Sequence, residues 1–74
     1  MQRYANHAGN SGVEAYRVTA DSILVKFANR EQPYRYSSTG RAGPAKVARM
    51  KALAKDGRGL STFISRHAHD LYER

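Results

Sequence analysis

Apolar residues alternate with polar ones up to residue 38 and recur three and four apart from Pro44 onward. This change of period, at the glycine-rich break STGRAG (38–43), restricts the chain to strands first and helices second. VEAYRV (13–18) reads as a first strand and the next residues, TADS, as a turn. In the second strand, 23–28, Ile23, Val25 and Phe27 share one face while Leu24 and Lys26 share the other. NREQ (29–32) is then a hairpin loop into a third strand, 33–37. Pro33 cannot donate to a ladder, so it opens that strand or lies on an edge. Pro44 suits a first helical turn, and Val47, Met50, Leu53 and Ala54 form one face of a helix that Gly57 ends, with Lys55 in its last turn. A second helix is expected over 61–74, capped by Ser61, with Leu60, Phe63, Ile64, His67, Ala68 and Leu71 as its buried stripe. The expected fold class is α+β, a three-stranded antiparallel meander followed by two helices packed on one face. Residues 1–12 lack periodicity and are expected to form a flexible N-terminal tail to a single domain, 13–74.

With 74 residues the domain buries only about 60% of its unfolded surface, so its stability margin is small. Absence of cysteine removes disulfides and thiolate metal sites. No apolar run approaches a membrane span, and the first twelve residues hold no signal-peptide core. A soluble protein of the cytoplasm is expected.

The net charge is +7, and it is localised. Arg3 and Arg17 balance Glu14 and Asp21 in 1–25, and Arg66 and Arg74 balance Asp70 and Glu73 in 59–74. The excess comes from Lys26, Arg30, Arg35, Arg41, Lys46, Arg49, Lys51, Lys55 and Arg58, opposed only by Glu31 and Asp56. A single-sign field of this kind favours a polyanion or an acidic protein as partner, or serves solubility alone.

Tyr34 and Tyr36 flank Arg35, and in a strand the two rings share one face while Arg35 takes the other. Each ring buries about 150–250 Å², which at about 25 cal/mol per Å² is several kcal/mol gross for the pair. A small domain gains most by turning them inward, beneath the helices, with their hydroxyls at the rim. Turned outward, they would stack single-stranded bases. Arg35 then lies on the uncovered sheet face, with Lys26 beside it if the strand registers agree.

Gly40 to Gly43 matches the G-x-x-G loop of KH domains, but it joins a strand to a helix where the KH loop joins two helices. A broader possibility is a phosphate held by glycine-rich backbone amides with Arg41, and again with Arg58 in DGRGLS; an ordinary linker is the simpler reading of both. On the first helix Lys51 and Lys55 sit on one flank, Lys46 and Arg49 on another. Its apolar face is narrow and lacks aromatics, so membrane binding is not expected. His67 and His69 point about 200° apart on a helix and cannot chelate one ion together. His67 reads as a partly buried packing residue and His69 as exposed, while Asp70 lies four residues from both Arg66 and Arg74 as an ion-pair member. No Ser, His and acid residues converge, and so small a domain leaves little room for a ligand pocket. No enzyme, cofactor, metal or small-molecule substrate is expected.

From about Val13 to Tyr72 the chain resembles the KTSC domain, a small domain found at the C-terminus of some lysyl-tRNA synthetases. The resemblance rests on Tyr16 in the first strand, ILVKF in the second, Tyr34-Arg35-Tyr36, and GLSTFI opening a last helix that ends near Tyr72. Asn29-Arg30 replace the usual hairpin glycine, which Asn29 could absorb at positive φ, and Lys55 replaces a small polar residue. The resemblance implies contact with RNA. The expected function is therefore a basic nucleic-acid-binding accessory domain with little sequence specificity. Phosphate contacts would come from Arg35, Arg41, Lys46, Arg49, Lys51, Lys55 and Arg58, and a stacking ring from Tyr34 or Tyr36. Seven neutralised phosphates give a log K against log salt slope of about −5 on single strands. The alternative is a protein-interaction module that docks an acidic partner.

Overall fold

Alternation over 13–27 and 34–37 produces an antiparallel sheet, and the 3–4 spacing after it produces two helices that cover one of its faces. The computed structural model describes residues 1–7, 9 and 11–73; Ala8 and Asn10 of the expected tail, and Arg74, an expected partner of Asp70, lie outside the described residues. The elements are β1 (Gln2–Arg3), β2 (Val13–Val18), β3 (Ser22–Phe27), β4 (Tyr34–Ser37), α1 (Gly43–Asp56) and α2 (Leu60–His67). The strands lie in the order β1-β2-β3-β4, each antiparallel to its neighbour. The α+β class holds, and the strand count is four where three were expected.

The extra strand comes from residues read as a tail. Gln2 and Arg3 pair with Tyr16 and Ala15. Tyr4 is buried, packs edge-to-face on Tyr16 with ring centroids 6.5 Å apart, and accepts the Leu60 N–H on its hydroxyl at 3.3 Å. His7 donates its N–H to the Gly57 carbonyl at 2.8 Å. Gly57, at φ 81°, ends α1, and a Cβ there would strike Ala5 and the His7 ring. Only glycine satisfies both the left-handed turn and the passage of the N-terminal segment.

Tyr16, Val25 and Tyr34 lie side by side across β2, β3 and β4, and Ile23 lies beside Tyr36, all on the helix-covered face. Against them α1 contributes Val47, Met50 and Ala54, and α2 contributes Leu60 and Ile64, with Ala68 just beyond. Leu53, Phe63 and Leu71 pack partly against this core. Tyr36 and Tyr34 therefore face inward, Tyr36 completely and Tyr34 partly.

Four local expectations are corrected. Gly59, at φ 83°, caps α2 in place of Ser61, and its carbonyl accepts the Phe63 N–H at 3.0 Å. The helix stops at His67, where sequence spacing extended it to 74. Beyond it the chain turns back, Tyr72 stacks on Tyr34 (4.5 Å) and meets Tyr36 edge-on (6.4 Å), and Glu73 donates its N–H to the Arg35 carbonyl at 2.7 Å. Ring burial and pairing to the open edge of β4 outweigh two further turns of an exposed helix. Asp70 thus leaves the helix, and its expected one-turn relation to Arg66 is lost. His67 is exposed and lays its ring against Phe63, with centroids 5.1 Å apart. Among the described residues only Asn6 is a non-glycine at positive φ, so the β3–β4 loop does not use Asn29 in that way. No helix of the described residues is long and apolar enough to cross a membrane.

Candidate nucleic-acid interface

The sheet face opposite the helices is where register gathers positive charge. Two cross-strand rows run over it: Arg3, Ala15 and Lys26, then Arg17, Leu24 and Arg35. Since each member stands opposite its row neighbours, the side chains of a row share one face. Arg3, Arg17 and Arg35 are exposed, and Ala15 and Leu24 between them are half-buried. Lys26 is more committed: its Nζ lies 3.7 Å from Glu14 and donates to the Phe27 carbonyl at 2.9 Å. Glu14 is the additional residue of a bulge between Val13 and Ala15. Arg35 Nε donates to the buried Ser22 hydroxyl at 3.5 Å, so one edge of the guanidinium is held to the sheet while the residue stays exposed. The face is basic and free of aromatic rings.

The other expected phosphate contacts are dispersed. Lys51 Nζ donates to the carbonyls of Thr19 at 2.9 Å and Ala20 at 3.3 Å, so it fastens the β2–β3 turn to α1. Lys55 lies with Met1, Gln2 and Arg17 beside the β1–β2 edge. Lys46 and Arg49 line a shallow groove with Phe63 and His67 on the opposite flank of α1. Arg58 is exposed beside Asp56 at 3.9 Å. The structure brings no more than two of these to one place.

In the glycine loops, amides that the phosphate alternative would need are already bonded. The Arg41 N–H is already bonded to the Glu73 carboxylate at 2.9 Å, and that carboxylate sits so close over Gly40 that any Cβ there would collide with it. In DGRGLS the Leu60 N–H is taken by Tyr4. Tyr36, wholly buried, has no ring face to stack on a base. Its hydroxyl has no hydrogen-bond partner, and its pKa is pushed up from 10.0 to about 12, first by burial and then by the neighbouring Tyr34 and Tyr72 phenols.

Sequence reasoning missed Arg3 and Arg17 and left Lys26 out of the site. Arg3 was hidden in the supposed tail. Arg17 was legible, because Tyr16 pointing inward turns Arg17 outward onto the face of Arg35, but counting charge by segment cancelled it against Glu14 and Asp21. Among the described residues no group of three or more His, Cys, Asp or Glu could hold a metal ion.

No family model, no curated protein and no solved structure matches the chain.

Proposed function

We propose that this is a small nucleic-acid-binding accessory domain of the cytoplasm, not an enzyme, that holds the phosphates of RNA on the open face of its sheet. The observation that carries the reading is the pair of rows bringing Arg3, Arg17, Lys26 and Arg35 onto one face around Leu24 and Ala15. Guanidinium groups bind phosphate with directed, charge-assisted bonds, and three of these four cations are arginine. Arg41, Arg49, Lys46, Lys55 and Arg58, dispersed elsewhere, add to the long-range field that draws a polyanion in. With no aromatic ring on the face to stack a base, and cations that serve here as phosphate contacts, selectivity is for charge and shape. RNA is preferred to DNA on the strength of the KTSC-like pattern of residues, which is a resemblance to a domain attached to a tRNA-handling enzyme.

The test is fluorescence anisotropy with a labelled single-stranded RNA across a salt series. Four phosphate contacts give a log K against log salt slope of about −3 on single strands. The combined variant Arg3→Gln, Arg17→Gln, Arg35→Gln should flatten that slope to about −1, while Arg49→Gln, Arg58→Gln should leave it nearly unchanged. Equal loss from both variants would remove the sheet face as the site. Binding that an acidic peptide of matched charge reproduces would favour the protein-docking alternative.

A further inference from the structure

Ala45 and Arg49 stand one turn apart on α1, and Phe63 and His67 one turn apart on α2; with Lys46 they line a groove of about 270 Å³. Each pair belongs to an i, i+4 row, and the channel between two such rows is the kind of surface into which the side chains of a third helix pack. The Ala45 methyl group and the half-buried Phe63 ring make its lining apolar, and Lys46, Arg49 and His67 make the rest of it basic or polar. Ordinary small-molecule sites begin at about 300 Å³, so the groove suits a side chain presented by a larger partner better than a free ligand.

The two cations are the unexplained members. α1 carries one acidic residue, Asp56 at its end, and α2 carries none. Among the described residues the ion pairs join Lys26 to Glu14 and Arg58 to Asp56, so neither Lys46 nor Arg49 meets a carboxylate. They are three residues apart with like charge, a small cost in the free chain that carboxylates from outside would relieve. A phosphate chain would answer the charge and leave Ala45 and Phe63 wet. Phe63 packs partly on the core and has the His67 ring against it at 5.1 Å, so it is no free-standing platform for a base. A helix that is apolar on one side and acidic beside it covers both parts of the lining.

We propose that the α1–α2 groove docks an acidic amphipathic helix of a protein partner. Apolar side chains one turn apart on that helix lie against Ala45 and Phe63, and flanking Glu or Asp carboxylates meet Lys46 and Arg49. The groove is on the helical side of the molecule, away from Arg3, Arg17 and Arg35. The inference therefore stands independently of the nucleic-acid reading, and both partners can be held at once. A contact confined to one such groove belongs with the small, transient interfaces.

The experiment is NMR titration of the full labelled chain with two synthetic helical peptides of equal negative charge. In one, two leucines one turn apart are flanked by glutamates; in the other, both leucines are alanines. The single-stranded RNA of the anisotropy assay is titrated in parallel, alone and after the leucine peptide. The leucine peptide should shift the amides of Ala45, Arg49, Phe63 and His67 and bind about tenfold more tightly than the alanine peptide. Ala45 is exposed in the first turn of α1, where a carboxylate suits the helix dipole, so Ala45→Glu should melt no lower than the parent. The same variant should weaken the leucine peptide about tenfold, by repulsion and by filling the groove. Equal affinity for the two peptides, or unchanged affinity in Ala45→Glu, overturns the groove as the docking site. Peptide shifts at Arg3, Arg17 and Arg35 in place of the groove overturn it also and move the acidic partner to the sheet face. RNA that shifts the groove amides and is displaced by the leucine peptide overturns the protein partner and gives the groove to nucleic acid. Groove shifts from the leucine peptide with no binding of the RNA retain the inference and dismiss the nucleic-acid reading. Silence toward every probe overturns both.

Discussion

The Glu73 carboxylate accepts the Arg41 N–H at 2.9 Å across the Gly40 backbone, joining the last described residue to the loop that starts α1. Together with the bond from the Glu73 N–H to the Arg35 carbonyl, it lays the C-terminal segment along β4. An exposed sheet edge is a template for unwanted pairing, and this segment covers part of one.

The fit between Gly40 and Glu73 predicts strong non-additivity. Gly40→Ala adds a methyl group where the carboxylate sits; the flexible end of Glu73 swings away, and the cost is the lost bond to Arg41, about 1 kcal/mol. Glu73→Ala removes the same bond at a similar cost. The double variant should be no less stable than either single one, a coupling that urea melts of the four proteins resolve. Additive losses would mean that Gly40 serves some other contact.

The buried phenol of Tyr36 predicts alkaline sensitivity. Its pKa is near 12 in the folded chain against 10.0 for an ordinary tyrosine, so above pH 10 the unfolded chain releases a proton that the folded chain retains. The unfolded state then binds fewer protons, and stability falls as pH rises, by up to about 1.4 kcal/mol per pH unit between about 10 and 12. Other effects of alkali act on the parent and on Tyr36→Phe alike. The informative quantity is therefore the difference from Tyr36→Phe, whose stability should decline less steeply from pH 9 to 11. Tyr36→Ala, which opens a cavity, should cost about 3–5 kcal/mol at neutral pH.

Strong periodicity made β2, β3 and α1 legible, because one side of each meets the core along its whole length. Tyr16, Ile23, Val25, Val47 and Met50 all lie where their spacing put them. Weak local signals hid the two ends of the chain. β1 has two residues and no alternation of its own; it exists because β2 presents an edge and Tyr4 finds a place beside Tyr16. The end of α2 was misjudged for a related reason: the spacing of Leu71 and Tyr72 suits a helix, but pairing with β4 and the Tyr34 ring are long-range gains that no local pattern reports. The candidate site was legible at Arg35, from alternation alone. Arg3 and Lys26 join it only through strand register, which one sequence does not specify.

Tyr4 tests whether the N-terminal residues are structural. Tyr4→Ala should destabilise by about 3–5 kcal/mol, since it removes a buried ring and leaves the Leu60 N–H unpaired at the start of α2. Tyr4→Phe should lose only the hydrogen bond, about 1 kcal/mol. Hydrogen exchange should show faster opening at Leu60 and Phe63 in both. If neither variant changes the melting temperature, residues 1–7 add nothing to the fold.

Lys51 and Lys55 are one helical turn apart with the same charge, and the structure gives them different work. Lys51 Nζ meets two turn carbonyls, whereas Lys55 stands exposed at the end of α1. Bonds from an ammonium to a carbonyl keep some strength when half-buried, so Lys51→Met should lower stability by about 1 kcal/mol and loosen the β2–β3 turn. Lys55→Met should stay within about 0.5 kcal/mol of the parent, as exposed substitutions do. Affinity for RNA should separate them in the opposite sense to a phosphate-contact assignment. Neither lies on the sheet face, so each should lower affinity modestly, through the general field, and leave the salt slope within about one unit of the parent. A drop in slope for Lys51→Met as large as that for Arg17→Gln would place α1 in the interface and return Lys51 to the phosphate contacts that its sequence position suggests.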